Sequence, residues 1–322
     1  MLYKVELLCV DRGVFGVVNI RLSLDTFDFK KSQRKRIART ERKFNTVVVP
    51  AADLLVTPAM EAMYDAHKHR FEGFVHPTLI EYLSSGLIKT VFDTYQVLVY
   101  DGDQLAAVSF FDIGERSMAS LIGLQHPDYL QDGLGVFTML REIQFARERG
   151  LRWYYPGYVF DLPSPFDYKL SLGEMEYYTP SKRWGSLKNF NPAGTRAFLL
   201  RKEMDLLSTG LKSAGFSHDQ LLYPFFSLGY MAHWSLDFVT LPKFVELVNT
   251  RGKRLIVGFE PLKQVFVLLD VAEANPESLM IDMDYRTTHT DGGGRCVDIL
   301  RCRMVLLQTK TVAGVLDFLS AL

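Results

Sequence analysis

Four stretches of this sequence hold residue types that can do chemistry. Between Lys30 and Lys43 eight basic residues (Lys30, Lys31, Arg34, Lys35, Arg36, Arg39, Arg42, Lys43) stand against one acid, Glu41. The whole chain is balanced at 37 Lys+Arg and 37 Asp+Glu, so the remainder carries the compensating negative charge. That distribution suits a local meeting with a polyanion, nucleic acid phosphate first among them, and the plain alternative is a solvated basic helix. Second, Gln131-Asp132-Gly133-Leu134-Gly135 is a glycine loop opening an amphipathic segment. Free backbone N–H groups and the positive end of a helix dipole attract phosphate or a developing oxyanion there. Third, Leu151 to Phe160 reads LRWYYPGYVF, and its interior Pro156-Gly157 must make a strand bulge, splay or end. Fourth, Asp112 closes an apolar strand, where it is either a candidate proton acceptor or the cap of the turn at Gly114. Lys169 is a candidate contact for phosphate, with a surface lysine as the plain reading.

Other chemistries find no support. The sequence has no GxSxG elbow and no HExxH spacing, which disfavours serine hydrolase and metalloprotease readings. Cys9, Cys296 and Cys302 are too dispersed for a disulfide framework or a zinc signature. From these residues neither a metal nor a cofactor is expected.

The elements that must position these residues are read from pattern. With 322 residues, 48% of them hydrophobic, the chain can bury a sizeable core in about two domains. Its first residues, MLYKVELLCVDRG, lack a secretory pattern, and Leu221 to Leu236 is broken by Pro224, Gly229 and His233. A cytoplasmic protein without membrane contact is expected, and no feature fixes its oligomeric state. Residues 2–29 alternate like a small hairpin. Thr46 to Val49 reads as a strand, Thr57-Pro58 opens an amphipathic helix, and Pro77 to Ser84 reads as a short one. Tyr95 to Tyr100, Asp101-Gly102 and Leu105 to Phe111 form the strongest hairpin signal, and Ser117 to Leu124 continues the meander. In the next helix Val136, Leu140 and Ile143 share the apolar face, with Arg141, Glu142, Arg147 and Glu148 opposite. Further on, helices are expected at Thr195 to Leu207 and Thr240 to Val248. Strands are expected at Arg254 to Phe259, Val265 to Val271 and Val297 to Leu306, with a flexible turn at Asp291 to Gly294 and a final helix from Val312 to Leu319.

Meander, glycine loop, helix, then an interrupted strand is the order of the GNAT type of acyltransferase fold, which this sequence resembles. The predicted class is α/β in the α+β sense, with a central, mostly antiparallel sheet flanked by helices and a C-terminal α+β extension. Segments are expected at 1–50 (N-terminal strands and basic stretch), 51–190 (GNAT-like transferase domain) and 191–322 (extension). Within that fold, residues from about 26 to 186 resemble the aminoacyl-tRNA to protein transferases, arginyl and leucyl. Phe29 to Arg36 with Arg39 is similar to that family's serine-glutamine-arginine-arginine stretch. Leu98 to Asp112 is similar to its central strands, Gly133 to Leu140 to its loop and helix, and Trp153 to Tyr158 to its aromatic strand. Tyr168-Lys169 with Tyr178, Pro180 and Trp184 is similar to the segment after that strand. The sequence departs from the family in having only Cys9 before the basic run, in His126 where an acid precedes Pro127, and in Pro156 within the aromatic strand.

The resemblance implies transfer of arginine or leucine from charged tRNA to the N-terminal amine of an acceptor protein. Asp112 and Tyr158 are then the catalytic candidates. Gly133, Gly135, Tyr154 and Lys169 would contact substrate, and Lys31, Gln33, Arg34, Arg36 and Arg39 would hold tRNA. Tyr154 and Tyr158 are expected on one face of their strand with Tyr155 opposite, unless the Pro156-Gly157 interruption resets the register. The alternatives are an acyl-CoA-dependent acyltransferase of the same fold and a non-catalytic binding module.

Overall fold

A computed structural model describes residues 5–10, 12–51, 56–70, 73–84, 92–230, 237–247, 252–274, 285–286, 294–296 and 298–322. The chain forms two compact units. One holds Val18–Phe71 and Val75–Phe190, and the other holds Val5–Val17, Glu72–Phe74 and Asn191–Leu322.

The first unit is built on a twisted sheet. In chain order its strands are β2 (Gly13–Ser23, of which residues from 18 onward belong here), β3 (Asn45–Pro50), β5 (Asp93–Asp101), β6 (Gln104–Ile113), β7 (Ser117–Gln125), β8 (Trp153–Tyr155), β9 (Tyr158–Phe160), β10 (Met175–Tyr178) and β11 (Trp184–Ser186). Their spatial order is β11-β10-β2-β8-β7-β6-β5-β3, with β9 also on β2. The β5–β6 hairpin turns where Gly102 takes φ 58, the left-handed conformation that a two-residue turn demands. Neighbours are antiparallel except β7 and β8, which run parallel because helix α4 (Leu134–Glu148) crosses between them.

Helices cover both faces. Helix α1 (Lys31–Glu41) and α4 close over Ile20, Leu22, Val97, Phe111, Met118 and Tyr154, while α2 (Pro58–Lys68) and α3 (Leu79–Ser84) close over Val108, Phe110 and Ile122. Thr57 caps α2 by accepting from the Met60 amide, with Pro58 in the first turn, as its sequence signature requires.

The second unit carries strands β1 (Leu7–Val10), β4 (Gly73–Phe74), β12 (His218–Leu222), β13 (Lys243–Leu247), β14 (Arg254–Glu260), β15 (Val265–Glu273), β16 (Tyr285–Arg286) and β17 (Leu300–Thr309). Five of them make the antiparallel order β12-β13-β14-β15-β17, packed with α5 (Arg196–Ser213) and α6 (Val312–Ser320) around Leu200, Met204, Phe244, Val257 and Phe266. The helix expected from Thr240 to Val248 is a strand instead. Phe244, Val245 and Leu247 are buried between β12 and β14, and long-range pairing overrides local helical spacing. The last strand runs Leu300–Thr309 instead of Val297 to Leu306. Residues 291–293 of the expected glycine turn lie outside the described residues.

Phe137 is fully buried where α4 meets the sheet. Replacing it with alanine should cost about 3–5 kcal/mol. Urea unfolding should show a lower midpoint with an unchanged slope, and a midpoint within error of the parent would contradict this packing.

Candidate active site

The expected interruption at Pro156-Gly157 parts the sheet. Pairing of β7 with β8 covers Ser117↔Trp153, Met118↔Tyr154 and Ala119↔Tyr155 only. Pro156 has no N–H to continue a ladder, and Gly157 takes φ 98, which turns the chain onto β2, where the Ile20 amide donates to the Gly157 carbonyl at 3.2 Å. β7 runs on to Gln125 past the last paired residue, so a gap opens between its second half and β9. The start of α4 stands at the far end of β7.

That start is held from two sides. Gly133 ends a 3₁₀ turn, Pro127–Asp132, in the left-handed conformation (φ 66, ψ 36) and opens α4. Its carbonyl accepts from the Arg36 guanidinium at 3.3 Å, and the Gly135 amide donates to Oε1 of Gln125 at 3.2 Å. His126, where the family pattern has an acid, still supplies a cap acceptor: its Nδ1 accepts from the Asp128 amide at 3.3 Å.

Beneath the parting lies a buried acid that the sequence pattern put on the polar face. Glu142 is wholly inaccessible and accepts from the Tyr154 hydroxyl at 2.7 Å. Burial pushes its carboxyl up to about 7, and the hydroxyls of Ser109, Tyr154 and Ser120 keep the rise from being larger. Burial, then the nearby Glu142 charge, likewise raises the Tyr154 phenol well above its ordinary range. The signal was present: Leu134, Thr138, Glu142 and Ala146 are four apart, and all four are buried.

Tyr154 is therefore closed off from substrate. It points into the core beside Met118 and Ile143, and no ligand reaches it without the core opening. The half-buried aromatics of this strand are Trp153, Tyr155 and Tyr158. Trp153 and Trp184 sandwich the Arg21 guanidinium at 3.4 and 4.3 Å from their ring centres, and Glu176 holds its Nε at 2.7 Å. Tyr155 packs against Trp184, and Tyr158 against Phe160 and Phe166. The interruption thus resets the register, and Tyr154 and Tyr158 are not partners on one wall.

Asp112 shares a cross-sheet row with Thr94, Ala119 and Tyr155, which places it level with the last paired residue before the gap. It is half-buried and accepts from the Thr94 hydroxyl at 2.7 Å; burial raises its carboxyl and the Thr94 bond pulls the other way. Lys169 lies in the 3₁₀ segment Pro165–Leu172 just after β9. Its Nζ donates to the Tyr158 carbonyl at 3.1 Å and sits 5.3 and 4.8 Å from the Tyr158 and Phe166 ring centres. Burial lowers this lysine to about 8.

The basic run is a helix with two unlike faces. Lys31, Arg34, Lys35, Arg39 and Arg42 are exposed, with Arg34 loosely paired to Asp28 at 3.3 Å. Gln33 is buried, and its polar atoms bond inside the protein, which removes it from any tRNA-contacting face. Arg36 is half-buried and engaged on Gly133. Among the described residues no group of His, Cys, Asp and Glu is arranged to hold a metal ion, and no helix is long and apolar enough to cross a membrane.

A central antiparallel sheet with one parallel, parted strand pair and a glycine-opened helix beside the gap defines a GNAT-like acyltransferase fold. Residues 56–179 match the family described as arginine-tRNA-protein transferase, C terminus. An aspartate/glutamate leucyltransferase of Stenotrophomonas maltophilia strain R551-3 is 30% identical over 173 residues, which cover 52% of this chain and 68% of that one. The enzyme of the same name from strain K279a is 29% identical over 178 residues, 53% of this chain and 70% of that one. The C-terminal domain of a lysylphosphatidylglycerol synthetase described as putative, from Agrobacterium fabrum, superposes with a TM-score of 0.35 at 14% identity over 45% of this chain and 47% of that one, too loosely to add to the sequence match. The chain belongs to the aminoacyl-tRNA-protein transferase family, whose members are acyltransferases.

Burial makes Glu142 a pH sensor of stability. Its carboxyl titrates higher in the folded chain than in the unfolded one, so folding is favoured with the proton bound. The contribution is full below the usual 4.5 and is lost as pH rises toward 7, amounting to about 3 kcal/mol. Unfolding free energies measured at pH 5, 6, 7 and 8 should fall by about that much more in the parent than in Glu142→Gln. Parallel pH profiles for the two proteins would show that Glu142 titrates normally.

Proposed function

We propose that this protein moves an amino acid from charged tRNA to the N-terminal α-amine of an acceptor protein. The observation that carries the reading is the parted β7–β8 pair beside an exposed glycine-opened helix start, joined to a helix whose outer face is basic. Relatives named aspartate/glutamate leucyltransferases favour leucine over arginine as the residue moved, and an acceptor beginning with Asp or Glu.

The acceptor amine attacks the ester carbonyl that joins the amino acid to the tRNA terminal ribose. A C–N bond forms, the C–O bond breaks, the ribose hydroxyl leaves with a proton, and the amine gives one up. The ester is already activated, so positioning, a proton acceptor and oxyanion donors are sufficient. Asp112 takes the proton, its carboxyl raised by burial toward a useful range. The Gly135 amide, six residues along β7 from the row that holds Asp112, donates to a phosphate oxygen of the tRNA end in place of Gln125. Tyr158 lines the amino acid site, and Lys169 faces the carboxylate of the acceptor's first residue. On the outer face of α1, Lys31, Arg34 and Arg39 hold tRNA phosphates, while Arg36 holds the Gly133 loop.

The direct test incubates the protein with leucyl- and arginyl-tRNA and with peptides beginning with Asp, Glu, Lys or Ala. Labelled leucine should appear on the Asp and Glu peptides, and Asp112→Asn should lower the rate by about 10²–10⁴. Transfer from acyl-CoA without tRNA, or no transfer in a folded protein, would overturn the reading. A separate measurement addresses the helix. Changing Lys31, Arg34 and Arg39 to glutamine should reduce the slope of log affinity against log salt for tRNA by about two to three units, at 0.7–0.9 per phosphate contact. An unchanged slope would leave α1 a solvated helix.

A further inference from the structure

Gln33 is a neutral, buried residue in the most basic stretch of the chain. Its exposure is 8%, and its side chain bonds in two directions. Oε1 accepts from the Lys30 amide at 2.8 Å and closes the first turn of α1. Nε2 donates to the carbonyl of Leu172 at 2.8 Å and to that of Ser171 at 3.3 Å, 139 and 138 residues further along the chain. Those carbonyls end the 3₁₀ segment that carries Tyr168 and Lys169.

The two ends of that segment are fastened differently. Its start is closed locally: the Ser164 hydroxyl accepts from the Phe166 amide at 3.2 Å, and the Asp167 carboxylate accepts from the Ser164 amide at 3.1 Å. Its last carbonyls bond to Gln33. A short 3₁₀ run has poor internal hydrogen bonds, so an external donor at its open end does much to fix it. Between the two fastenings stands Lys169, its ammonium held by one carbonyl and two ring faces. A strained or shifted segment would let that ammonium out to water.

We propose that Gln33 is a positioning residue that couples the basic helix α1 to Lys169, by tying the open end of the Pro165–Leu172 segment to the first turn of the helix. The outer face of α1 then senses a polyanion, and its inner face sets the environment of the lysine beside the parted strands. Gln33 does not touch substrate; it acts through the backbone of Ser171 and Leu172. Glutamine suits this post because one amide supplies both the acceptor for Lys30 and the donors for two carbonyls, which neither a carboxylate nor an apolar side chain can do. The tRNA half of this coupling rests on the transferase reading above, whereas the tie itself does not.

The tie is tested without any transfer reaction. Lys169 is labelled with a limiting amount of an amine-reactive reagent across pH 6–11 and quantified by peptide mass spectrometry against exposed Lys202. The parent should show a midpoint near 8, the value burial gives it. In Gln33→Met, which keeps the buried volume and removes the donors, the midpoint should rise by a unit or more toward the ordinary 10.5, a loss of about fivefold or more in neutral amine at pH 8. Gln33→Asn, one methylene too short to reach, should move it the same way, and it serves if the methionine variant does not fold by circular dichroism. An unmoved midpoint in a folded variant overturns the tie.

A second arm adds saturating deacylated tRNA. The labelling rate of Lys169 should change at least threefold in the parent and stay level in Gln33→Met, although that variant still binds the tRNA. An equal change in both proteins would mean that the RNA contacts Lys169 directly and would overturn the coupling. A parent that binds no tRNA defeats the transferase reading and the tRNA half of the coupling, and the first arm still decides the tie.

Discussion

A proline without an amide proton organises the first unit. Pro156 cannot donate to a ladder, and β8 does not continue along β7 to Gln125. Instead the pairing stops at Ala119↔Tyr155, Gly157 turns the chain through a left-handed conformation, and β9 joins β2. The gap depends on that break, and the row that holds Asp112 marks where it starts. Such a break is stable because the strands on either side remain fixed, β8 by both neighbours and β9 by β2.

Helix α1 shows how charge and packing share eleven residues. Its sequence reads as a polycation, yet Gln33, Ile37 and Thr40 lie three to four apart and make an inner stripe. Arg36 and Lys43 bond to Gly133 and Asp132, so two of the eight basic residues in the run are committed to the glycine loop. The outer face stays open to a polyanion. Exposed ion pairs such as Arg34 with Asp28 are worth little in water, so a phosphate can replace the aspartate at small cost.

Much of this was legible in the sequence where local rules decide. The β5–β6 hairpin comes from Asp101-Gly102 between apolar runs, α2 from Thr57-Pro58, and the parting from Pro156-Gly157. The glycine loop opens a helix, as its pattern suggested. The features that the sequence hid depend on distant partners. Glu142 looked like a surface acid until Tyr154 and two serines gave it a buried site. Gln33 looked like part of a nucleic acid contact, and its bonds reach residues nearly 140 positions away. Tyr154 was misplaced because alternation says which face a residue takes and nothing of how deeply that face is covered. The strand at Lys243–Leu247 read as a helix because its burial comes from β12 and β14.

Under the proposed function the acylated end of tRNA lies in the gap between β7 and β9. A tRNA whose terminal ribose carries a photoreactive phenylalanine analogue through a stable amide reports this directly. After irradiation and digestion, the label should map to peptides containing Gly133–Gly135 and Tyr155–Tyr158, and excess unlabelled aminoacyl-tRNA should suppress it. Labelling confined to residues 191–322, or insensitive to that competitor, would contradict the account.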